Sequence, residues 1–209
     1  MPFQPFDPHA PVRIHEMHLP HWRQDGVTYF VTSRLADSMP CEKLDQWREE
    51  RANWLRTRGL RTVEELDKLP SKERNDFHRY FTAQWHQWLD AGYGACVLRA
   101  AEIREIVSDA LLKNDGESYA LNAWVVMPNH FHALVTPLAA CELGTILQGW
   151  KGASARAINL RLCRTGALWQ SEIFDHIVRS EEQMEHYRRY IAENPIKARL
   201  QDGEYALSK

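Results

Sequence analysis

The chain has 209 residues, a formal net charge of −2, 44% hydrophobic and 26% charged residues. This balance excludes a disordered or membrane-embedded chain and fits one well-packed domain, or a domain with a large insertion. With so little net charge, any case for nucleic acid must rest on local patches.

Residues 1–21 carry Pro2, Pro5, Pro8, Pro11 and Pro20, which predict an extended arm without a helix. His9, His15, His18 and His21 in this arm match no metal-ligand spacing and read as a loose polar segment. After Asp25-Gly26, the stretch Val27–Arg34 is rich in β-formers and is read as the first strand. From 41 to 91 the character turns helical, and this block reads as an insertion. Leu44, Trp47, Arg51, Trp54 and Leu55 recur at helical spacing up to Gly59. Ser71 stands where an N-cap belongs, and Phe77, Tyr80, Phe81, Gln84, Trp85, Trp88 and Leu89 form a stripe behind it. Such a stripe could stack on unpaired bases, but amphipathic helices bury that face, so packing is expected. Ala100–Lys113 is another amphipathic helix, with Ile103, Ile106, Val107, Ala110 and Leu111 inward, and Asn114-Asp115-Gly116 turns the chain.

Two apolar, β-branched runs, Tyr119–Met127 and His130–Thr136, flank Pro128-Asn129, predicting two strands with a tight connection. Side chains on a strand alternate, so His130 and His132 share one face and Phe131 takes the other. Two imidazoles side by side either finish a polar sheet face or form the fixed half of a metal site. Leu143, Ile146, Leu147, Trp150, Ala153, Ala157 and Ile158 mark a helix to about Cys163, whose outer face offers Lys151, Arg156 and Arg161. A short strand follows at roughly Phe174–Arg179. Ser180 and Gln183 then form a capping box for the last helix. Met184, Tyr187 and Ile191 make its inward stripe, with Tyr190 and Asn194 projecting beside it. Pro195 disfavours helical geometry at Asn194, so the helix is expected to close there.

From Trp150 to Leu200 nine cationic side chains face six carboxylates, a modest basic bias. The four cysteines are scattered without a C-x-x-C pair and read as small buried hydrophobes in a reducing compartment. No signal-peptide pattern and no apolar run of membrane-spanning length is present, so a cytoplasmic protein is expected. With the 41–91 block set aside, the order is βαββαβ. The expected fold is α+β, a single domain over 1–209 with a ferredoxin-like antiparallel sheet and helices on one face.

The motifs carry a resemblance. Trp124-Val125-Val126-Met127-Pro128-Asn129-His130-Phe131-His132 resembles the His-hydrophobic-His motif of the HUH single-tyrosine transposases, and more narrowly of the REP-associated tyrosine transposases. Lys151-Gly152-Ala153-Ser154-Ala155-Arg156-Ala157-Ile158-Asn159 looks like that family's "KGxSAxxIN" helix. Trp169-Gln170, Phe174-Asp175 and Val178-Arg179 are similar to its "WQ…FD…IR" segment, and Tyr190–Ala198 to its "YIxxNPVKA" segment. Four motifs in order are far more specific than any one alone.

The resemblance implies that Tyr190 is the nucleophile, His130 and His132 are metal ligands, and Asn194 is the third, helix-borne ligand. Tyr187 is the rival tyrosine, one turn earlier and outside the "YIxxNP" register. The implied activity is a metal-dependent single-strand DNA endonuclease and strand transferase that works through a 5′-phosphotyrosine. Imidazole ligation suits several transition metals, whereas the family implies Mg²⁺ or Mn²⁺. The implied partner is single-stranded DNA with a hairpin of the repetitive palindromic kind, bound by a monomer or homodimer. Lys151, Arg156, Arg161, Arg179, Arg188 and Arg189 are the expected phosphate contacts. His176 and His186 are candidates to assist the phenol's ionisation. Two other readings stand beside this one: a catalytically silent hairpin-binding regulator, and a metallohydrolase using His-x-His without a tyrosine.

Overall fold

In the computed structural model of this chain, residues 3–16, 20–90, 92–138, 141–171 and 173–208 are described. The chain divides into two units, Met1–Ala36 with Cys96–Lys209, and Asp37–Ala95.

The larger unit begins with a hairpin of β1 (Arg13–Glu16) and β2 (Pro20–Arg23), in register Arg13 opposite Arg23. The expected extended arm is therefore partly paired with itself. It is also tied down before the hairpin: Thr28 N–H donates to Gln4 O (2.9 Å), Phe6 N–H donates to Val178 O (3.2 Å), and buried Gln24 exchanges hydrogen bonds with the Asp7 backbone. His18 lies outside the described residues, as do the side chains of His15 and His21.

The main sheet contains β3 (Tyr29–Arg34), β4 (Tyr119–Val126), β5 (His130–Pro137), β6 (Phe174–Ile177) and β7 (Ala206–Leu207). The strands are antiparallel in the order β6-β3-β5-β4-β7. Helices α3 (Ala101–Leu112) and α4 (Leu143–Arg161) interrupt the strand succession, and α5 (Glu181–Lys197) follows β6. This is an α+β fold.

Alternation along β3 and β5 sorts the core into two layers. Tyr29, Val31, Phe131, Ala133 and Val135 face α3 and α4 in one cluster. Phe30, Leu134 and Val125 face α5, with Met184 and Ile191, in the other. Helices thus cover both faces: the α3–α4 pair shares one, and α5 adds a cover on the opposite side. Burial on both faces explains why β5 reads as an almost unbroken apolar run.

The α4 face is pinned by a chain of hydrogen bonds. Trp150 Nε1–H donates to Tyr119 Oη (2.9 Å), whose hydroxyl donates to Leu111 O (2.7 Å). Trp169 Nε1–H donates to Ser154 Oγ (2.9 Å), which donates to Trp150 O (2.6 Å). Phe131 packs edge-on against both indoles. Trp150, Ser154 and Trp169, all conspicuous in the sequence, are core residues here; truncating one such indole costs about 3–5 kcal/mol.

The smaller unit pairs α1 (Cys41–Arg56) with α2 (Ser71–Asp90). Leu55, Leu60, Leu66, Phe77 and Phe81 form its core, with Trp47 and Trp54 against it. Phe77 and Phe81 of the aromatic stripe are therefore buried, whereas Tyr80 is exposed. Ser71 is the first helical residue rather than the cap, and Arg74 N–H bonds back to Pro70 O (3.2 Å).

Candidate active site

His130 and His132 project from β5 toward α5 and are 1% and 0% exposed. Antiparallel register sets Thr32 opposite His132, and His132 Nδ1 lies 2.7 Å from Thr32 Oγ1. His130 Nδ1 lies 2.7 Å from Asn129 Oδ1. With both Nδ1 atoms engaged by oxygens, the two Nε2 atoms approach each other to 3.1 Å. An imidazole that donates from Nδ1 keeps a lone pair on Nε2, the form that ligates metals. Two nitrogens each about 2.1 Å from one ion, at a right angle, lie roughly 3 Å apart, so the pair is spaced as two adjacent ligands would be.

Helix α5 supplies the opposite wall. Ser180 caps it by accepting from Gln183 N–H (3.2 Å), while Gln183 Oε1 accepts from Arg179 N–H (2.7 Å) rather than from the Ser180 backbone. The Tyr190 ring meets His132 edge to face, with centroids 5.2 Å apart, and meets Phe30 at 5.8 Å. Phe30 in turn stacks on His132 (5.4 Å) and on Tyr187 (4.2 Å). Burial pushes the Tyr187 phenol up to about 12. That makes Tyr187 a packing group and a poor phenolate at neutral pH.

Asn194, one turn beyond Tyr190, is 0% exposed, and neither Oδ1 nor Nδ2 has a hydrogen-bond partner among the described residues. A buried carboxamide left unpaired costs about 1–3 kcal/mol, a cost that a ligand would remove. The helix does not close at Asn194 but runs through Pro195 to Lys197. Burial of Asn194 and Pro195 offsets the bond that proline cannot make, and Ala198 N–H to Asn194 O (3.0 Å) closes the last turn.

Among the described residues, no three His, Cys, Asp or Glu side chains gather as a metal cluster. The donors on offer are instead two imidazoles and, on the facing helix, one orphaned carboxamide. That set fits a divalent ion whose remaining positions go to water and phosphate oxygens.

The expected phosphate contacts are dispersed. Arg156 and Arg161 are exposed on α4, across the sheet from the histidines. Lys151 does not point outward: its ammonium donates to Gln170 O (2.6 Å) and Ser171 O (3.0 Å). Burial first, and the Arg34 charge second, hold its pKa below the ordinary lysine value. The exposed Arg179 guanidinium lies over the Phe6 and Trp22 rings. Arg188 pairs with Glu185 at 2.5 Å, and Arg189 is exposed. Of the candidate proton carriers, half-buried His176 has its ring centroid 6.2 Å from that of Tyr187, and His186 is exposed. Sequence reasoning missed Thr32 and Asn129, which orient the imidazoles. Asn129 is signalled by standing next to His130, whereas Thr32 needs the β3–β5 register.

Residues 97–194, just under half of the chain, match the family model described as Transposase IS200 like. A REP-associated tyrosine transposase of Escherichia coli (strain K12) is 29% identical over 80 residues, covering 38% of this chain and 46% of that protein. The match therefore spans less than half of the relative's length. Among solved structures, a REP-associated tyrosine transposase bound to a REP hairpin aligns over 86% of this chain and 74% of its own, with 18% identity and a TM-score of 0.42. A Deinococcus radiodurans protein described as a transposase aligns over 80% and 90%, with 16% identity and a TM-score of 0.35. The matched stretch 97–194 holds both histidines, Tyr190 and Asn194, and over it this chain is similar to the IS200-like transposases.

Proposed function

We propose that this protein is a metal-dependent endonuclease and strand transferase acting on single-stranded DNA with a REP-type hairpin. One observation carries the reading: the Tyr190 ring lies against His132, whose Nε2 is paired with that of His130, and buried Asn194 follows one turn along the same helix. His130, His132 and Asn194 would hold Mg²⁺ or Mn²⁺. When bound, such an ion neutralises charge on the phosphate oxygens and orients them.

Tyr190 is then the nucleophile. Its phenolic oxygen forms a bond to phosphorus as the P–O3′ bond breaks; the phenol gives up its proton and the leaving 3′-oxygen takes one up. The product is a 5′-phosphotyrosine and a free 3′-hydroxyl. Because the phosphotyrosine keeps the bond energy, a 3′-hydroxyl can attack it and rejoin strands without ATP. Thr32 and Asn129 hold the imidazoles in place for this, and Phe30 and Tyr187 close the apolar side. Action on DNA would accord with the cytoplasmic setting expected from the sequence.

The test is covalent capture of a labelled hairpin oligonucleotide with a single-stranded flank, in Mg²⁺ or Mn²⁺. Wild type is expected to form a protein–DNA adduct and Tyr190→Phe to form none. Retained hairpin binding without an adduct under any divalent metal would instead support a silent regulatory protein.

A further inference from the structure

The face that carries the histidines holds a second polar row. Arg34 on β3 stands opposite His130 in the β3–β5 register, as Thr32 stands opposite His132. Directly opposed residues in an antiparallel pair point to the same face, with Cβ atoms about 4.5–5.5 Å apart. Phe30 and Thr32, at alternate positions before Arg34, both face α5 and the histidines, which fixes the face for Arg34. On its other side, Leu35 bridges to Trp169, and Gln170 N–H donates to Arg34 O (2.9 Å). Gln170 is thus the next member of the row His130–Arg34–Gln170.

The side chains are fastened. Arg34 Nε–H donates to Gln170 Oε1 at 2.5 Å. Gln170 is itself held from behind, because the Lys151 ammonium donates to the carbonyls of Gln170 and Ser171. Arg34 is half-buried, so its charge is partly desolvated and its fork is pre-set. Its Nε is thus tied to Gln170 at a position directly opposite His130, on the sheet face that carries the imidazole pair.

We propose that Arg34 contacts the scissile phosphate, opposing the charge that develops on a non-bridging oxygen, and that Gln170 is the positioning residue that aims it. This rests on the strand-cleavage reading above. It assigns a role to the Lys151 and Trp169-Gln170 motifs that differs from direct DNA contact by Lys151: lysine secures the loop, glutamine sets the arginine, and the arginine meets phosphate.

The test uses the full chain and a hairpin oligonucleotide with a single-stranded flank. For binding, the slope of log K against log salt is measured. Arg34→Gln is expected to flatten it by about 0.7, the value of one phosphate contact on a single strand, while Mn²⁺ affinity by calorimetry and Tm stay at wild-type values. For cleavage, single-turnover rates are compared for a natural scissile phosphate and a methylphosphonate, which lacks the opposed charge. Arg34→Gln is expected to slow the natural substrate on the order of 100-fold and the methylphosphonate about threefold at most. Gln170→Ala should show the same substrate dependence at smaller size, and Arg34→Lys, which keeps the charge and guards against misfolding, should recover part of the rate. An unchanged salt slope, or equal slowing of both substrates, overturns the role of Arg34. Absence of cleavage by wild type overturns the nuclease reading instead, and the salt slope then decides Arg34 by itself.

Discussion

A buried, unpaired carboxamide is an unusual thing for a folded chain to keep, because both of its polar ends lose water and gain nothing. On the proposed reading, Asn194 trades stability for a capacity to ligate. Asn194→Leu is expected to raise the melting temperature of the metal-free protein by roughly 2 °C or more, the worth of about 1 kcal/mol in a domain of this size, and to abolish the further rise produced by Mn²⁺. Thermal melts with and without the ion read both effects; a lower metal-free Tm with the Mn²⁺ increment intact would contradict a ligating role. At this scale the sequence is legible only in part. His130 and His132 share a face by strict alternation, so their neighbourhood follows from two residues' spacing. Thr32 sits 100 residues away in the chain from the imidazole it bonds, and no local pattern carries that pairing.

At the scale of elements, the strands and helices of the larger unit follow their hydrophobic periods, and β4 and β5 fall within a residue of the boundaries read from the sequence. The misplaced features are those where tertiary packing outweighs a local preference. Helix α5 passes through Pro195 because burial holds the turn, and Lys151 turns inward because two loop carbonyls offer its ammonium a better partner than an open helix face does. Spacing alone cannot separate that lysine from Arg156 on the same helix. Lys151→Gln should accordingly cost about 1–2 kcal/mol, a drop of roughly 2–8 °C in Tm, and leave the salt slope of DNA binding unchanged. A flattened slope at wild-type Tm would make Lys151 a phosphate contact after all.

The packing of β6 against α5 adds a pH dependence. His176 faces Tyr187 and Gln183, and burial, then the Arg179 charge, hold its pKa below 6.5. The unfolded chain therefore binds the proton more readily than the folded one. The stability from keeping His176 neutral is present above pH 6.5 and lost as pH falls through that value toward the folded one. His176→Gln should flatten the acid limb of a Tm-against-pH profile without removing it, since His78 in the smaller unit is shifted the same way, chiefly by burial. An unaltered acid limb would contradict this assignment.

For the whole molecule, a net charge of −2 leaves no long-range pull toward DNA, so under the proposed function binding would rest on local groups and on the hairpin's shape. The α+β class and the antiparallel sheet follow from periods of two and 3.6 residues, but the two-sided helix cover does not, because sequence order does not say which face a terminal helix takes. The 37–95 unit is legible as helical and packed, with Phe77 and Phe81 in its core; its motifs give no chemistry to test. The central claim for the molecule is that the Tyr190 phenol, and no other, shares a site with the paired imidazoles. Trypsin separates the two rival tyrosines, because cleavage after Arg188 and Arg189 leaves Tyr190 at the start of the peptide ending at Lys197 and Tyr187 in the preceding one. Mass spectrometry of a nuclease-trimmed adduct is expected to find the nucleotide on the Tyr190–Lys197 peptide, and a nucleotide on the Tyr187 peptide would contradict the account.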